Sequence, residues 1–336
     1  MRAAELGELA LIQQLRQLFD RALPHVVVPN GDDAACLRTR GLTVATVDSI
    51  VEGVDWLPDA TPPDAIGHRA AAVNLSDLAA MGATPTALLL ALELPPDAQV
   101  ADVLAAAAGL AALADRHGVA VVGGDLGFAP GPQRWSVTAL GEVEGQPLRR
   151  NAARPGDRLW LVGDVGRAAL GLELLRAAGS AAAVAPGWAQ ACVQRHLYPQ
   201  PLVAAGRALQ AAGGRMAAID ISDGLGLDAR RLAAASDVTL DLALPQPAWL
   251  GAAALHDCER LQLDWRAACA SGGDDYALLV AAPPDTDIAG LLQAAGVDAA
   301  VQRLGHARAG EAGAVHLTVA GRVMAPGGWA HGRSQP

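Results

Sequence analysis

The sequence predicts a mixed α/β (α+β) fold in two domains, and three observations carry that prediction. Short apolar or β-branched runs (42–47, 86–94, 119–122, 135–143) alternate with longer stretches of helical periodicity (65–81, 100–114). Across the chain, short apolar runs repeatedly end in an aspartate beside glycine, serine or threonine: Gly31-Asp32-Asp33, Thr46-Val47-Asp48-Ser49, Gly123-Gly124-Asp125, Asp220-Ile221-Ser222-Asp223-Gly224 and Ser271-Gly272-Gly273-Asp274-Asp275. The composition turns polar and Pro/Gly-containing at 146–156, which sets a boundary between domains 1–147 and 148–336. A chain of 336 residues is long enough for both.

Taken in order, Leu6, Leu9, Ile12, Leu15 and Phe19 recur at helical spacing and predict an amino-terminal amphipathic helix. Pro24 and Pro29 lead through a loop into the Gly31-Asp32-Asp33 turn. The β-branched run 42–47 predicts a strand ending at Asp48. A helix is expected from about residue 65 to Met81, with Gly82 as its stop. A strand at 86–94, an alanine-rich helix at 100–114, a strand at 119–122 ending in Gly-Gly-Asp and an alternating strand at 135–143 complete the first half. In the second half, strands are expected at 158–162, 216–219 and 276–281, with helices around 168–177, 188–196 and 225–235. A weak Ala/Gly/Pro linker falls near 179–187.

Hydrophobic residues make up 52% of the chain, much of it alanine, which points to a helix-rich core of close-packed small side chains. The formal net charge of −10 argues against non-specific binding to nucleic acid or anionic membranes. There is no lysine; every Lys/Arg-type base is arginine. That excludes a Walker-type phosphate lysine, a Schiff-base lysine and a protein-kinase β3 lysine. Phosphate handling must then use arginine, backbone N–H groups and metal ions. Cys36, Cys192, Cys258 and Cys269 are scattered without Cys-x-x-Cys spacing and read as reduced thiols. The eight histidines show no zinc spacing. No apolar signal core or bilayer-length uncharged run is visible, so a soluble cytoplasmic protein is expected.

The recurrent aspartates suggest a shared oxygen-rich site, which suits magnesium, and clustered magnesium suits bound phosphates. Asp77 is the most telling of them, because it lies in a largely apolar helix with Asn74 three residues before it on the same face. A carboxylate there needs a metal, several donors or an arginine such as Arg69 or Arg116. Asp48 and Asp125 read equally as turn residues. Gly123-Gly124 would let backbone approach a phosphate closely. The adjacent acids Asp32 and Asp33 repel each other, which a nearby cation relieves. Ser222 or Asp223 can cap the helix starting near Leu225, and a capped helix start is itself a phosphate site. Arg150 is the best phosphate-neutralising candidate, or a plain surface arginine. Trp56 and Trp329 could stack on a heterocycle, or serve the core.

The segments Ala72–Gly82, Gly123-Gly124-Asp125, Asp220–Leu225 and Ser271–Tyr276, in that order, resemble the thiamine-monophosphate kinases. That family belongs to the aminoimidazole-ribonucleotide-synthetase-like superfamily. The resemblance runs from Glu5-Leu6-Gly7-Glu8 to Gly328-Trp329-Ala330-His331. It implies a two-domain synthetase-like fold, a homodimer through amino-terminal-domain strands, and direct transfer of the ATP γ-phosphate onto thiamine monophosphate. Several magnesium ions and no covalent phosphoenzyme are implied. Carried over by motif, Asp33, Thr46, Asp48, Asp77, Asp125, Asp220 and Asp223 look like magnesium ligands, with Asp48, Asp77, Asp125 and Asp220 central to catalysis. Val47 stands where a threonine is usual, so a contact there is through backbone. Gly124, Asp125, Arg150 and Ser222 look like the nucleotide set, and Asp55, Asp274 and Trp329 the acceptor set.

The chain departs from the family pattern at the acceptor end. Asp55 replaces a histidine, Asp274 replaces a glutamate, and the final motif ends in Gly332 instead of phenylalanine. Two other readings follow from those departures. One is a sibling ATP-dependent synthetase acting on a different acceptor; the other is a non-catalytic magnesium-nucleotide sensor.

Overall fold

In the computed structural model, which describes Met1–Trp329, the predicted amino-terminal helix divides at Gly7 into α1 (Ala3–Leu6) and α2 (Glu8–Phe19). Ala330, His331 and Gly332 lie outside the described residues. The buried stripe of α2 is Leu11, Leu15 and Phe19, at i, i+4 and i+8, so Leu9, expected on it, is 82% exposed. The chain forms two compact units. The first comprises Met1–Leu78 and Ala83–Gln146; the second comprises Ala79–Gly82 and the chain from Pro147 onward.

The first unit continues with β1 (Val26–Val28) and β2 (Cys36–Leu37), a small antiparallel pair. Then follow β3 (Leu42–Val51), α3 (Pro63–Ala80), β4 (Thr84–Leu94), α4 (Val100–Arg116), β5 (Ala120–Phe128) and β6 (Arg134–Val143). Its four-stranded sheet has the order β3-β6-β4-β5. The β4–β5 pair is parallel because α4 carries the chain back between them; the other pairs are antiparallel. Helix α3 is apolar almost all round, with Ala70, Ala71, Ala72, Leu75, Leu78 and Ala79 at most 1% exposed, which marks a helix enclosed in core. Gly82, at φ +69°, ends it in the left-handed conformation that glycine adopts without strain.

In the first unit, two strands run past the acids expected to end them. β3 pairs with β6 from Leu42 to Val51, so Asp48 lies inside the strand. After a one-residue register shift at Val122, β5 stays paired with β4 through Gly123, Gly124 and Asp125 to Phe128. Both are outer strands of the sheet, where a polar side chain reaches solvent and strand pairing costs no buried charge.

The second unit contains β7 (Arg158–Val162), α5 (Arg167–Ala178), α6 (Trp188–Leu197), α7 (Val203–Ala211), β8 (Ala217–Ile221), α8 (Leu225–Ser236) and β9 (Thr239–Leu244). It ends with α9 (Ala252–Arg260), α10 (Trp265–Ser271), β10 (Ala277–Ala282), α11 (Ile288–Ala294), β11 (Val301–Arg308), β12 (Val315–Val319) and β13 (Arg322–Met324). The seven strands are ordered β13-β12-β9-β11-β7-β10-β8, and only β9–β12 is parallel. β10 is covered on both faces; Ala277 through Ala282 are each 0% exposed. One core packs Val162, Leu209, Leu278, Val280, Ile288 and Leu292 together.

Candidate functional site

In the first unit, α3 presents Asn74 and Asp77 to the outer strand β3, as their spacing predicts. The Thr46 hydroxyl donates to Asp77 Oδ2 at 2.5 Å, and the Asp48 N–H donates to Asn74 Oδ1 at 3.0 Å. Asn74 is fully buried and returns its own Nδ2 to the Ala70 carbonyl at 3.0 Å, which fixes its orientation. Asp77 is half-buried. Arg116, one cation considered for it, lies instead 3.3 Å from His68 Nδ1. Thr46 and Asp48 share a face of β3, and Val47 between them leaves the other face with 62% exposure.

The register separates Asp125 from this group. Ser49, Ser136, Ala91 and Asp125 form one lateral row across the sheet, while Asp48, Val137, Leu90 and Gly124 form the next. Lateral partners share a face and neighbours alternate, so Asp125 and Asp48 leave opposite faces. Gly124 is required by packing, since a Cβ there would collide with the Leu90 carbonyl oxygen. Asp33 is exposed, and its N–H closes a turn onto Asp32 Oδ1 at 2.8 Å. Asp55 accepts the Val51 N–H at 2.7 Å and closes the turn after β3. Trp56 is 4% exposed and belongs to the core, which removes it as a stacking platform.

In the second unit, three motifs far apart in sequence meet. The Ser222 carbonyl accepts Asp274 N–H at 2.8 Å and the Ile221 carbonyl accepts Tyr276 N–H at 2.8 Å. The Asp223 carbonyl accepts Trp329 N–H at 2.9 Å. Asp220, 5% exposed, sits on β8 opposite Leu278 of β10 just before this junction. Asp274 and Tyr276 hold left-handed backbone, at φ 67° and 50°, a strained state for side chains of this size. The Tyr276 hydroxyl donates to Asp274 Oδ1 at 3.0 Å, and His196 Nδ1 lies 3.8 Å from Asp274 Oδ2. Trp329 is half-buried. Arg150 is exposed, and its carbonyl accepts the Ser236 hydroxyl at 2.7 Å.

The start of α8 corrects the expected cap. Gly224 is the N-cap and no side chain caps from that position. Instead Asp228, one turn into the helix, accepts the N–H groups of Asp223 and Gly224 at 3.0 and 3.2 Å. Those donors are therefore turned inward rather than toward a ligand. Burial pushes the Asp228 carboxyl up to about 6, against the lowering by the Asp223 N–H bond and Arg231. An acid in the first helical turn was the sequence signal for it. Asp275 is likewise spent on structure: it is fully buried and accepts Gly166 and Ala168 N–H at 2.6 and 3.2 Å at the start of α5. Its neighbour Asp274 remains at the junction.

Among the described residues, no three His, Cys, Asp or Glu side chains are gathered as a metal cage. Asp77 stands beside the Thr46 hydroxyl, and Asp274 beside the Tyr276 hydroxyl. This donor set fits magnesium, which takes hard oxygens and is bound by one or two carboxylates together with substrate phosphates and water.

The family described as AIR synthase related protein, N-terminal domain, matches residues 31–143, and its C-terminal domain counterpart matches residues 154–318. The thiamine-monophosphate kinase of Mycobacterium tuberculosis is 35% identical over 286 residues, covering 82% of this chain and 80% of that protein. The crystal structure of thiamine-monophosphate kinase from Stenotrophomonas maltophilia K279a has a TM-score of 0.78 and 36% identity, covering 95% of this chain and 98% of that one. AaThiL complexed with AMPPCP and TMP has a TM-score of 0.72 and 28% identity, covering 98% and 99%. Motif order, fold and relatives agree: this chain belongs to the AIR synthase related family, among its thiamine-monophosphate kinases.

Proposed function

We propose that this protein transfers the γ-phosphate of ATP directly, in line, to the phosphate of thiamine monophosphate, giving thiamine diphosphate and ADP. The observation that carries this reading is the meeting of the Asp220–Gly224, Ser271–Tyr276 and Trp329 segments through backbone hydrogen bonds. The relatives named above and the AaThiL complex with AMPPCP and TMP support both substrates.

In this reading, residues 1–147 form the ATP- and magnesium-binding domain and also make the dimer, while 148–336 complete the nucleotide and acceptor sites. Asp33, Thr46, Asp48, Asp77, Asp220 and Asp223 hold magnesium, with Val47 contributing backbone only. Asp125, on the opposite face of the first sheet, serves a different ion from the one at Asp48 and Asp77. When bound, magnesium neutralises the phosphates so that two anions can approach. The chain's own part is alignment. Gly124 keeps its strand tight against β4, Arg150 and Ser222 meet the nucleotide, and Trp329 offers a ring face to the acceptor. Asp274, held by Tyr276, faces the cationic thiazolium, and Asp55 adds negative charge in the same sense. The N–H groups of Asp223 and Gly224 take no phosphate, because Asp228 already holds them.

The face of β3 that carries Thr43, Ala45, Val47 and Ser49, all exposed and Val47 by 62%, supports a homodimer through amino-terminal-domain strands. Light scattering is expected to give twice the 34.2 kDa chain mass; the single-chain mass at micromolar concentration overturns the dimer. Among the described residues no helix is long and apolar enough to cross a membrane, and a cytoplasmic location is part of the proposal.

The decisive assay incubates the full chain with Mg-ATP and thiamine monophosphate and follows thiamine diphosphate and ADP by chromatography. Stoichiometric formation of both is expected. ADP release only with some other acceptor would identify a sibling synthetase, and nucleotide binding without turnover on any acceptor would identify a sensor; either overturns the reading.

A further inference from the structure

We propose that Arg231 is a positioning residue that competes with magnesium for Asp223 and so sets how much magnesium the protein requires. The inference rests on the reading of Asp223 as a magnesium ligand. Arg231 Nη1 lies 2.5 Å from Asp223 Oδ2 and 2.6 Å from Asp228 Oδ1, so one guanidinium nitrogen joins both carboxylates.

The two partners are held very differently. Asp228 is 1% exposed, and its other oxygen takes the N–H groups of Asp223 and Gly224, so it is tied to the backbone it supports. The Asp223 side chain is 25% exposed and Arg231 is 41% exposed, so the contact between them can exchange with solvent. Asp223 therefore has two states. In one its carboxylate faces Arg231; in the other it turns to a metal, and Arg231 stays on Asp228. An ion pair this exposed is worth little, which is the property an exchangeable latch needs. It keeps the carboxylate oriented and partly neutralised without withholding it from a divalent ion. The latch lowers apparent metal affinity by roughly two- to fivefold, the range of exposed ion pairs.

The test uses the full chain with the non-hydrolysable analogue AMPPCP, titrating magnesium by calorimetry, with the magnesium dependence of turnover measured alongside. Arg231→Met is expected to lower the half-saturating magnesium concentration by roughly two- to fivefold in the calorimetric titration. Asp223→Asn is expected to raise it. If Asp223→Asn raises it while Arg231→Met leaves it unchanged or raises it, the latch is overturned and the ligand reading survives. If Asp223→Asn leaves it unchanged, Asp223 is not a ligand and both ideas fail. Should Arg231→Met not fold, Arg231→Lys decides: an ammonium on a flexible stem bridges the two carboxylates poorly, and a shift in the same direction of about twofold is expected. No shift in that variant overturns the proposal.

Discussion

Asp77→Asn is expected to reduce kcat about a thousandfold or more with the fold intact. Asparagine has the same shape as aspartate, and its carbonyl oxygen can still accept the Thr46 hydroxyl bond that Asp77 Oδ2 accepts at 2.5 Å. Helix α3 owes its place to its apolar surface, which this change leaves alone. What is lost is one negative charge. A metal that neutralises transferring phosphates supplies several kcal/mol to the transition state, and losing about 4 kcal/mol of that costs a factor of roughly a thousand. Turnover at saturating Mg-ATP and thiamine monophosphate, with a thermal melt of the same sample, checks both halves. Activity near that of the unmodified protein at ordinary magnesium would remove Asp77 from the metal set.

Asp275→Ala is expected to destabilise the second unit by about 2–5 kcal/mol at pH 5, lowering Tm on the order of 10 °C. The carboxyl group is fully buried and its two oxygens meet the Gly166 and Ala168 N–H groups; alanine leaves both donors buried without a partner. The same residue makes stability depend on pH. Burial pushes its carboxyl from 3.8 up to about 7, against the lowering by the Gly166 and Ala168 N–H bonds and Arg195. A group whose folded-state value is raised stabilises most when protonated. Its contribution is full below 3.8, is lost as pH rises to about 7, and is flat above that. Asp275→Asn should therefore flatten this part of the stability curve. Tm measured from pH 4 to 8 for both proteins checks it: an unchanged slope in Asp275→Asn would place the titration elsewhere.

Part of the candidate site's geometry was legible in sequence because it depends on local spacing. Asn74 and Asp77, three apart on a helix, had to face one way, and they do meet Thr46 and Asp48. The order of the Asn-Leu-Ser-Asp, Gly-Gly-Asp, Asp-Ile-Ser-Asp-Gly and Ser-Gly-Gly-Asp-Asp segments pointed to the family that the comparisons identify. Several elements were not legible. The short segments α7, α9, α10 and α11, and the strands β9 and β11 to β13, have no periodicity long enough to separate them from loops; they exist because the second sheet and its core accept them.

What the sequence determined by itself was which residue types are available: oxygen donors, arginines without lysine, and the helical and strand periods that carry them. Only the tertiary structure decided where each acid lies and what it contacts. Strand ends follow hydrogen-bond partners on a neighbouring strand, so Asp48 and Asp125 lie within strands and leave opposite faces. Likewise burial and long-range partners, not type, separate Asp275, enclosed under α5, from Asp274 beside it, and set Asp228 beneath the Asp223 turn with Arg231 between them. A carboxylate looks alike in every motif; its solvent exposure and the donors that reach it give it a role.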